Sequence, residues 1–498
     1  VTHLRFWALI WTGLLLVALG LGAAGSLQPV SAQGIPALAP DTAEIEVRTT
    51  IASRDRQPFW LTANRLGVVD PASANAILRL HTARSIDGVP QRNGRWQWGY
   101  GASLIGRGSA QATVFAPELY AALRYRGFVL RAGRWAESVG AADPDVSSGS
   151  ITTSRNATPV PRITLSTRGY VDVPGSRGYA EVKGRMTHGW LTDDRYVEVP
   201  YLHAKHAFLR LGGALPVRVY GGLVHNAVWA GTSSDPETGD LPGGIGDLWR
   251  VATAQSATAE DVPLGEQIYV QGNHLGMVSL GAETDIGRYR LQVHRDFFFD
   301  DEDGLELETP QDALMGVSLR DTRPDPVVEA LTYEYVYTKW QSGPRPPGPG
   351  PPGGEGIPGN DNFYNNSIYR SGWTYEGRTI GTPLFVTAAD GQGVESNRIV
   401  AHHLGVAGHA TSAAQYRILA TYVRHYGTYS GIRNANNSNR SYAYRPYRTQ
   451  YSLLFESTMA WPGSVPLHIR AGVGIDAGTL YEDAGIGGEI AFLYRVRP

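Results

Sequence analysis

The stretch "RYRLQVHRDFFFD", Arg288–Asp300, decides the fold. Its first residues alternate. Arg288, Arg290, Gln292 and His294 fall on one face of an extended chain, and Tyr289, Leu291 and Val293 fall on the other. Successive side chains of a strand point to opposite faces, so a period of two marks a strand with one dry face. That face can meet the core of a soluble sandwich or it can meet lipid. The rest of the sequence has to separate the two.

The same period recurs along the chain. "ELYAALRYR" (118–126) sets Leu119, Ala121, Leu123 and Tyr125 against Tyr120, Arg124 and Arg126. "YAEVKGRMT" (179–187) sets Ala180, Val182 and Met186 against Glu181, Lys183, Arg185 and Thr187. "QYRILATYVRH" (415–425) and the last strand, "EIAFLYRV" (489–496), behave alike. Further strands are expected over 44–52, 97–106, 128–134, 217–224, 276–286, 327–338, 379–386, 397–408, 448–456 and 466–474. A soluble sandwich also has a polar face, turned to water. In an outer-membrane barrel the polar face lines the lumen and the apolar face meets lipid.

Export tilts the balance toward the barrel. "VTHLRFWALIWTGLLLVALGLGAAG" has a short basic front and an unbroken apolar run from about Phe6 to Ala24, and Val30-Ser31-Ala32 offers a small-x-small cleavage site. That layout is expected to be a signal peptide over 1–32, with a retained membrane anchor as the alternative. With no cysteine in the chain, lipoprotein anchoring, disulfides and Cys-ligated metal are excluded. Beyond residue 32 the charges are 43 basic to 46 acidic, which gives no support to nucleic-acid binding. The apolar positions are rich in Tyr, Phe and Trp, as aromatic girdles require. No water satisfies a backbone inside lipid, so a spanning sheet must close on itself. At about 25 residues per strand and loop, residues 33–498 make about 18 strands, an even number as bacterial barrels prefer. The expected fold is therefore all-β, a transmembrane antiparallel barrel with few short helices in loops or lumen.

Helix signals are few. Asp247 heads a helix expected over 247–257, and Asp70 with Pro71 heads another over 70–80. "GPRPPGPGPPGGEGIPGND" (343–361) cannot pair as a strand and is expected as a long flexible loop, on the outer side because periplasmic turns are short.

The middle of the chain carries unusual local sequences: "SGSITTSRNATPVPRI" (148–163), "HGWLTDDRY" (188–196), "LHAKHAFLRL" (202–211), "GGLVHNAVWAG" (221–231), "GNHLG" (272–276), "YVYTKWQSGP" (335–344) and "DNFYNNSIYRSGWTYEGRTIGTPLF" (361–385). In this order and spacing they resemble the capsule assembly Wzi family, in its Bacteroidetes-like branch. The resemblance implies an outer-membrane barrel of about 18 strands that acts like a lectin on capsular polysaccharide and is not an enzyme. It also implies polysaccharide and outer-membrane lipid as partners, with polysaccharide export machinery as a further one. The enterobacterial branch carries an N-terminal helical bundle that plugs the periplasmic mouth; residues 33–80 show at most one short helix.

Sugar sites need flat apolar surfaces for C–H faces and planar polar groups for hydroxyls. Asn365, Asn366, Tyr369, Arg370, Trp373, Tyr375 and Arg378 supply both within one short stretch. With Arg155, Asn156, His188, Trp190, His203, His225 and Trp229 they form the expected saccharide-binding or luminal network. The competing reading is that they only brace the barrel interior or its girdles. His188, His203, His206, His225 and His274 lack the paired helical spacing of zinc enzymes, so luminal hydrogen bonding is expected rather than metal. "HAKH" puts His203 and His206 on opposite faces of a strand. "DDEDGLELE" (300–308) has Asp301, Asp303 and Gly304 of a calcium loop, but Phe299 stands where the first acid belongs. No cofactor is expected. The alternatives are a diffusion porin with a charged lumen and an outer-membrane phospholipase using Ser438 with His425; no G-x-S-x-G elbow is present.

Overall fold

A computed structural model describes residues 42–496 except 87–95, 258–269, 301–304, 306–308, 342–360, 429–443 and 483. The expected leader (1–32), nearly all of the Pro/Gly-rich loop, most of the acidic loop and Ser438 lie outside the described residues.

Eighteen long strands form one closed antiparallel ring. They are β1 (Thr42–Arg56), β2 (Ala72–Arg84), β3 (Gln97–Gly108), β4 (Ala112–Tyr125), β5 (Phe128–Arg134) and β6 (Arg162–Thr167). Next come β7 (Ala180–Trp190), β8 (Tyr201–Leu211), β9 (Val217–Trp229), β10 (Asn273–Ile286), β11 (Tyr289–Phe299) and β12 (Ala313–Asp321). The ring ends with β13 (Ala330–Tyr337), β14 (Ile399–Thr411), β15 (Ala414–His425), β16 (Arg448–Ala460), β17 (Leu467–Gly478) and β18 (Gly485–Val496). Each strand pairs with the next, and β18 returns to β1 with Ile45 opposite Tyr494 and Val47 opposite Phe492. That seam leaves no free edge.

The opening stretch becomes β11, with Val293 exposed outward and His294 and Asp296 buried inward. The whole wall is inverted in this way. On β1, Ile45, Val47 and Ile51 are exposed while Glu46, Arg48 and Thr50 are buried. On β16, Tyr451, Leu453 and Phe455 are exposed while Ser452, Leu454 and Glu456 are buried. Soluble monomers rarely expose apolar patches beyond a few hundred Å², and this belt circles the molecule. A bilayer is the solvent that fits it. Among the described residues no helix is long and apolar enough to cross a membrane, so any crossing is made by strands.

The connections sort by end. At the end that holds Thr42 and Val496, strands are joined by turns such as 126–127, 287–288 and 412–413. The opposite end carries 57–71, 135–161, 230–272 and 338–398. We refer to the short-turn end and the long-loop end.

Two sequence expectations are corrected. Residues 70–80 are not helical: Asp70 does accept the Ala72 N–H (2.9 Å), but as a turn before β2. From Asn75 the alternation with Ala76, Leu78 and Leu80 outward makes a wall strand. Residues 379–386 are not a wall strand; they lie in the 338–398 connection, whose short pairings are Thr374–Tyr375 with Arg378–Thr379 and Val386–Thr387 with Val394–Ser396. A helix does form near the other expected place, α2 at Ile245–Ala252, after the four-residue α1 at Phe59–Thr62.

Val473 lies midway along β17 and points outward. Val473→Arg is expected to cost about 2–4 kcal/mol, the penalty for a cation at the bilayer midplane. Urea titration of the barrel folded into lipid vesicles, with Val473→Leu as the near-neutral control, measures it.

Candidate functional site: a filled lumen and its long-loop mouth

Three connections from the long-loop end fold into the barrel. The first, 57–71, carries α1. Trp60 donates its Nε1–H to the Thr421 hydroxyl (3.1 Å), and the Phe59 N–H reaches Asp476 on β17 (2.9 Å). The second, 135–161, is pinned by Glu334 of β13, which is fully buried. Its carboxylate accepts from the Ser147 hydroxyl (2.6 Å), the Ser148 N–H (2.8 Å) and the Ser148 hydroxyl. His403 Nε2 donates to the Val146 carbonyl (2.9 Å). That carbonyl sits where a Cβ on Gly405 would be, so the wall must be glycine there. The third, described over 361–398, interlocks with the second: Trp373 Nε1–H donates to the Thr152 carbonyl (2.8 Å), and the Tyr364 hydroxyl donates to the Ile151 carbonyl. Phe363, Tyr364, Tyr369, Trp373, Leu384 and Phe385 then pack with Leu202, Val224, Val228, Leu275 and Phe298 of the wall into one apolar core inside the barrel.

Away from that core the lumen is ionic. Glu46 meets Arg48, Arg79 (3.8 Å) and Arg470 (3.6 Å). Glu456 meets Arg65 (2.6 Å) and Arg417 (3.1 Å). Arg65 belongs to the first inward connection, so this ladder ties it to the wall. Nearer the short-turn end Arg210 of β8 bridges Glu181 of β7 (2.7 Å) and Glu283 of β10 (3.3 Å), reaching over β9.

The expected site residues fall into three groups. Asn156, Asn365, Tyr369, Trp373, Tyr375 and Arg378 are brought together inside the filling, where they brace it. Asn156 donates to Thr379 Oγ1 (2.8 Å), and Asn365 both donates to and accepts from Val394. The Tyr375 hydroxyl meets Thr192 (2.9 Å) and Arg134 (3.1 Å). Arg378 donates to the carbonyls of Thr62 (3.1 Å) and Val69 (2.6 Å), and burial pulls its pKa down to about 10. Arg155, Asn366 and Arg370 lie nearer solvent. Arg155 pairs with Asp145 (2.9 Å), Asn366 accepts the N–H groups of Ile368 and Tyr369, and Arg370 lies 4.3 Å over the Tyr196 ring with Asp235 at 3.9 Å.

The third group corrects the luminal expectation. His188, Trp190, His203, His225 and Trp229 share the outward face with Met186, Leu209 and Val219, as does His274 with Leu280. They are nonetheless shielded, because residues 230–257 double back over the outer wall and lay α2 on it. Lys205 donates to the Ala252 carbonyl at the end of α2, and Val251 packs on Trp229 and Ala230. Under this cover His225 Nε2 lies 2.7 Å from His274 Nδ1, and His274 Nε2 donates to the Gln271 carbonyl (2.8 Å). Trp249 and Ile245 of α2 face outward, exposed. His203 and His206 do lie on opposite faces. Among the described residues no group of three or more His, Asp or Glu side chains is placed to hold a metal. His425 is buried on the lumen side of β15, with the Ser396 hydroxyl at 3.1 Å.

Sequence reading missed Glu334, Ser147 and Ser148, and the ladder of Arg65, Glu456 and Glu489. The available signal was a carboxylate at an inward position of a strand, as Glu334 is between Tyr333 and Tyr335.

These features define an outer-membrane β-barrel whose lumen is occupied by its own loops. The family model described as capsule assembly protein Wzi matches residues 111–398, more than half of the chain, and the chain belongs to that family. Among solved structures it is similar to Wzi of Escherichia coli, titled an outer-membrane protein involved in group 1 capsule assembly and a carbohydrate-binding β-barrel. The TM-score is 0.55 at 12% identity, over 92% of this chain and 85% of that one. OprD of Pseudomonas aeruginosa aligns at TM-score 0.43 and 8% identity, over 91% of this chain and 93% of that one. OccK3 of the same organism aligns at 0.41 and 11%, over 91% and 95%. No curated protein sequence matches the chain.

Removing the Glu334 carboxylate leaves three donors unmet, and hydrogen bonds to a charged group contribute about 1.5–3 kcal/mol each. Glu334→Ala is expected to loosen 146–152 by about 3 kcal/mol, read as lost amide-exchange protection there; Glu334→Gln should fall between. A second test uses Asp312, which accepts the N–H groups of Trp340 and Gln341 and the Thr309 hydroxyl. Burial pushes its pKa up to about 6 from an ordinary 3.8. The folded state then holds the proton more tightly than the unfolded one, so the stabilisation is full at low pH and fades as pH rises through about 6. Exchange at Trp340 and Gln341, corrected for intrinsic rate, should be slower at pH 5 than at pH 7, and Asp312→Asn should flatten the difference.

Proposed function

We propose that this protein binds or organises capsular or other surface polysaccharide at the cell surface, without catalysing a reaction. The observation that carries the proposal is a barrel filled from its long-loop end, in a family whose structurally similar member is titled carbohydrate-binding. Bacterial barrels keep periplasmic turns short, so the long-loop end faces outward and the filling closes the mouth that polymer meets. The apolar run at 6–24 serves as the export leader, and acyl chains of the outer membrane wet the exposed wall.

The groups left for sugar are those at the outer mouth rather than those in the filling. Arg370 stacked on Tyr196 beside Asp235 combines an aromatic ring, a planar donor and an acceptor. Arg134, with Thr192 (3.5 Å) and Glu376 (3.8 Å), forms a second polar group there. Trp373 and Asn365 are spent on the plug. A filled lumen also argues against free diffusion, which needs an aqueous path.

Deleting the gene should shift polysaccharide from cell-bound to shed, and restoring it with Tyr196→Ala plus Arg370→Ala should recover retention only partly, severalfold below wild type. Unchanged retention on deletion would refute the reading. Purified barrel in planar bilayers should show little conductance; stable porin-like steps would favour diffusion instead.

A further inference from the structure

A polar cavity of about 250 Å³ lies inside the barrel on the short-turn side of the filling. Its floor is the plug segment Glu137–Gly140, its walls are β5 to β8, and it runs to the turn residues Arg168 and Gly169. Arg131, Arg168, Lys183 and Arg185 line it, against one carboxylate, Glu137. That carboxylate is already engaged, pairing with Arg162 (3.2 Å) and Arg185. The Lys183 ammonium makes no hydrogen bond or ion pair among the described residues. It lies 4.5 Å from the centroid of the Phe208 ring and 5.3 Å from that of Tyr170. The side chains of Ser166 and His206, also on the lining, likewise have no hydrogen bond among the described residues.

We propose that this cavity is a binding site for a small oxyanion, a carboxylate or phosphate borne on a sugar, entering from the short-turn end. Clustered cations with too few carboxylates repel one another, and inside a protein that repulsion is screened less than in water. An anion relieves it. Guanidinium forks match the two oxygens of a carboxylate or phosphate, a lysine adds a point charge, and hydroxyls complete the shell. Arg131, Arg185, Lys183 and Ser166 supply that set around one space. The cavity ends on the plug, so it holds a single anionic unit and does not conduct a chain. The site lies at the opposite end from the mouth proposed to meet polymer, and binding of a small anion is separable from retention of capsule.

Calorimetric titration of the full barrel in detergent tests it, with sodium glucuronate, inorganic phosphate and neutral glucose as probes. One-to-one saturable binding is expected for at least one of the two anions and not for glucose. The affinity should fall with added salt and drop at least tenfold in Lys183→Gln, with Lys183→Arg recovering most of it. Arg495→Gln, at an exposed pair with Glu44 elsewhere on the same rim, should bind like wild type. Tighter glucuronate identifies a uronate-type source, and tighter phosphate a phosphorylated one. Should Lys183→Gln not fold, Ser166→Glu replaces it, and the added carboxylate should abolish binding. No saturable anion binding, equal affinity in the variants, or glucose binding as well as glucuronate would each overturn the proposal. Loss of capsule retention in cells with intact anion binding would point to the outer mouth alone.

Discussion

Everything in this molecule rests on the seam where β18 meets β1. Backbone N–H and C=O groups at that join have no water to turn to within a bilayer, and pairing them closes the sheet. Closure fixes a sign for every side chain. At the seam itself Val47 and Phe492 are opposite one another on the outside, while Thr50 and Glu489 are opposite on the inside. The same rule carried round the ring produces a dry outer belt and a lumen lined by Arg, Glu and His.

A closed ring of this size encloses more space than its wall residues fill, and the chain uses its own loops to occupy it. The filling has two different bonds to the wall. On one side apolar packing joins Phe363 and Trp373 to Val228 and Leu275. On the other, ion pairs hold Arg65 to Glu456 and Glu489. Buried ion pairs contribute little net stability once desolvation is counted, yet breaking one partner is costly. Their role here is to fix one placement of the loops. The outer wall near β7 to β10 is handled differently. There a patch of His, Lys and Trp would face lipid, and α2 within residues 230–257 covers it.

The wall was legible because alternation survives wherever one face is charged, as at 181–187 and 289–293. It failed at 70–80, where a good cap and proline outscored a strand that begins two residues later. It also could not tell inside from outside at 223–229, because Leu223, Val224, Ala227, Val228 and Trp229 place apolar groups on both faces. That is why His225 and Trp229 were expected in the lumen. The sugar-like composition of 365–378 was real but ambiguous. Asn, Tyr, Trp and Arg suit a sugar and equally suit an irregular loop that must satisfy its backbone while buried. Order and spacing of motifs, rather than any single one, pointed to the family.

The absence of native cysteine makes the central claim directly measurable. Single cysteines placed in turn at residues 451–456 of β16, spin-labelled in lipid vesicles, should alternate strictly. Tyr451→Cys, Leu453→Cys and Phe455→Cys should be reached by oxygen and shielded from a water-soluble nickel complex, while Ser452→Cys, Leu454→Cys and Glu456→Cys should be shielded from the lipid-borne oxygen. Equal access of the nickel complex to the first three positions would contradict a lipid-facing wall, and with it the closed barrel.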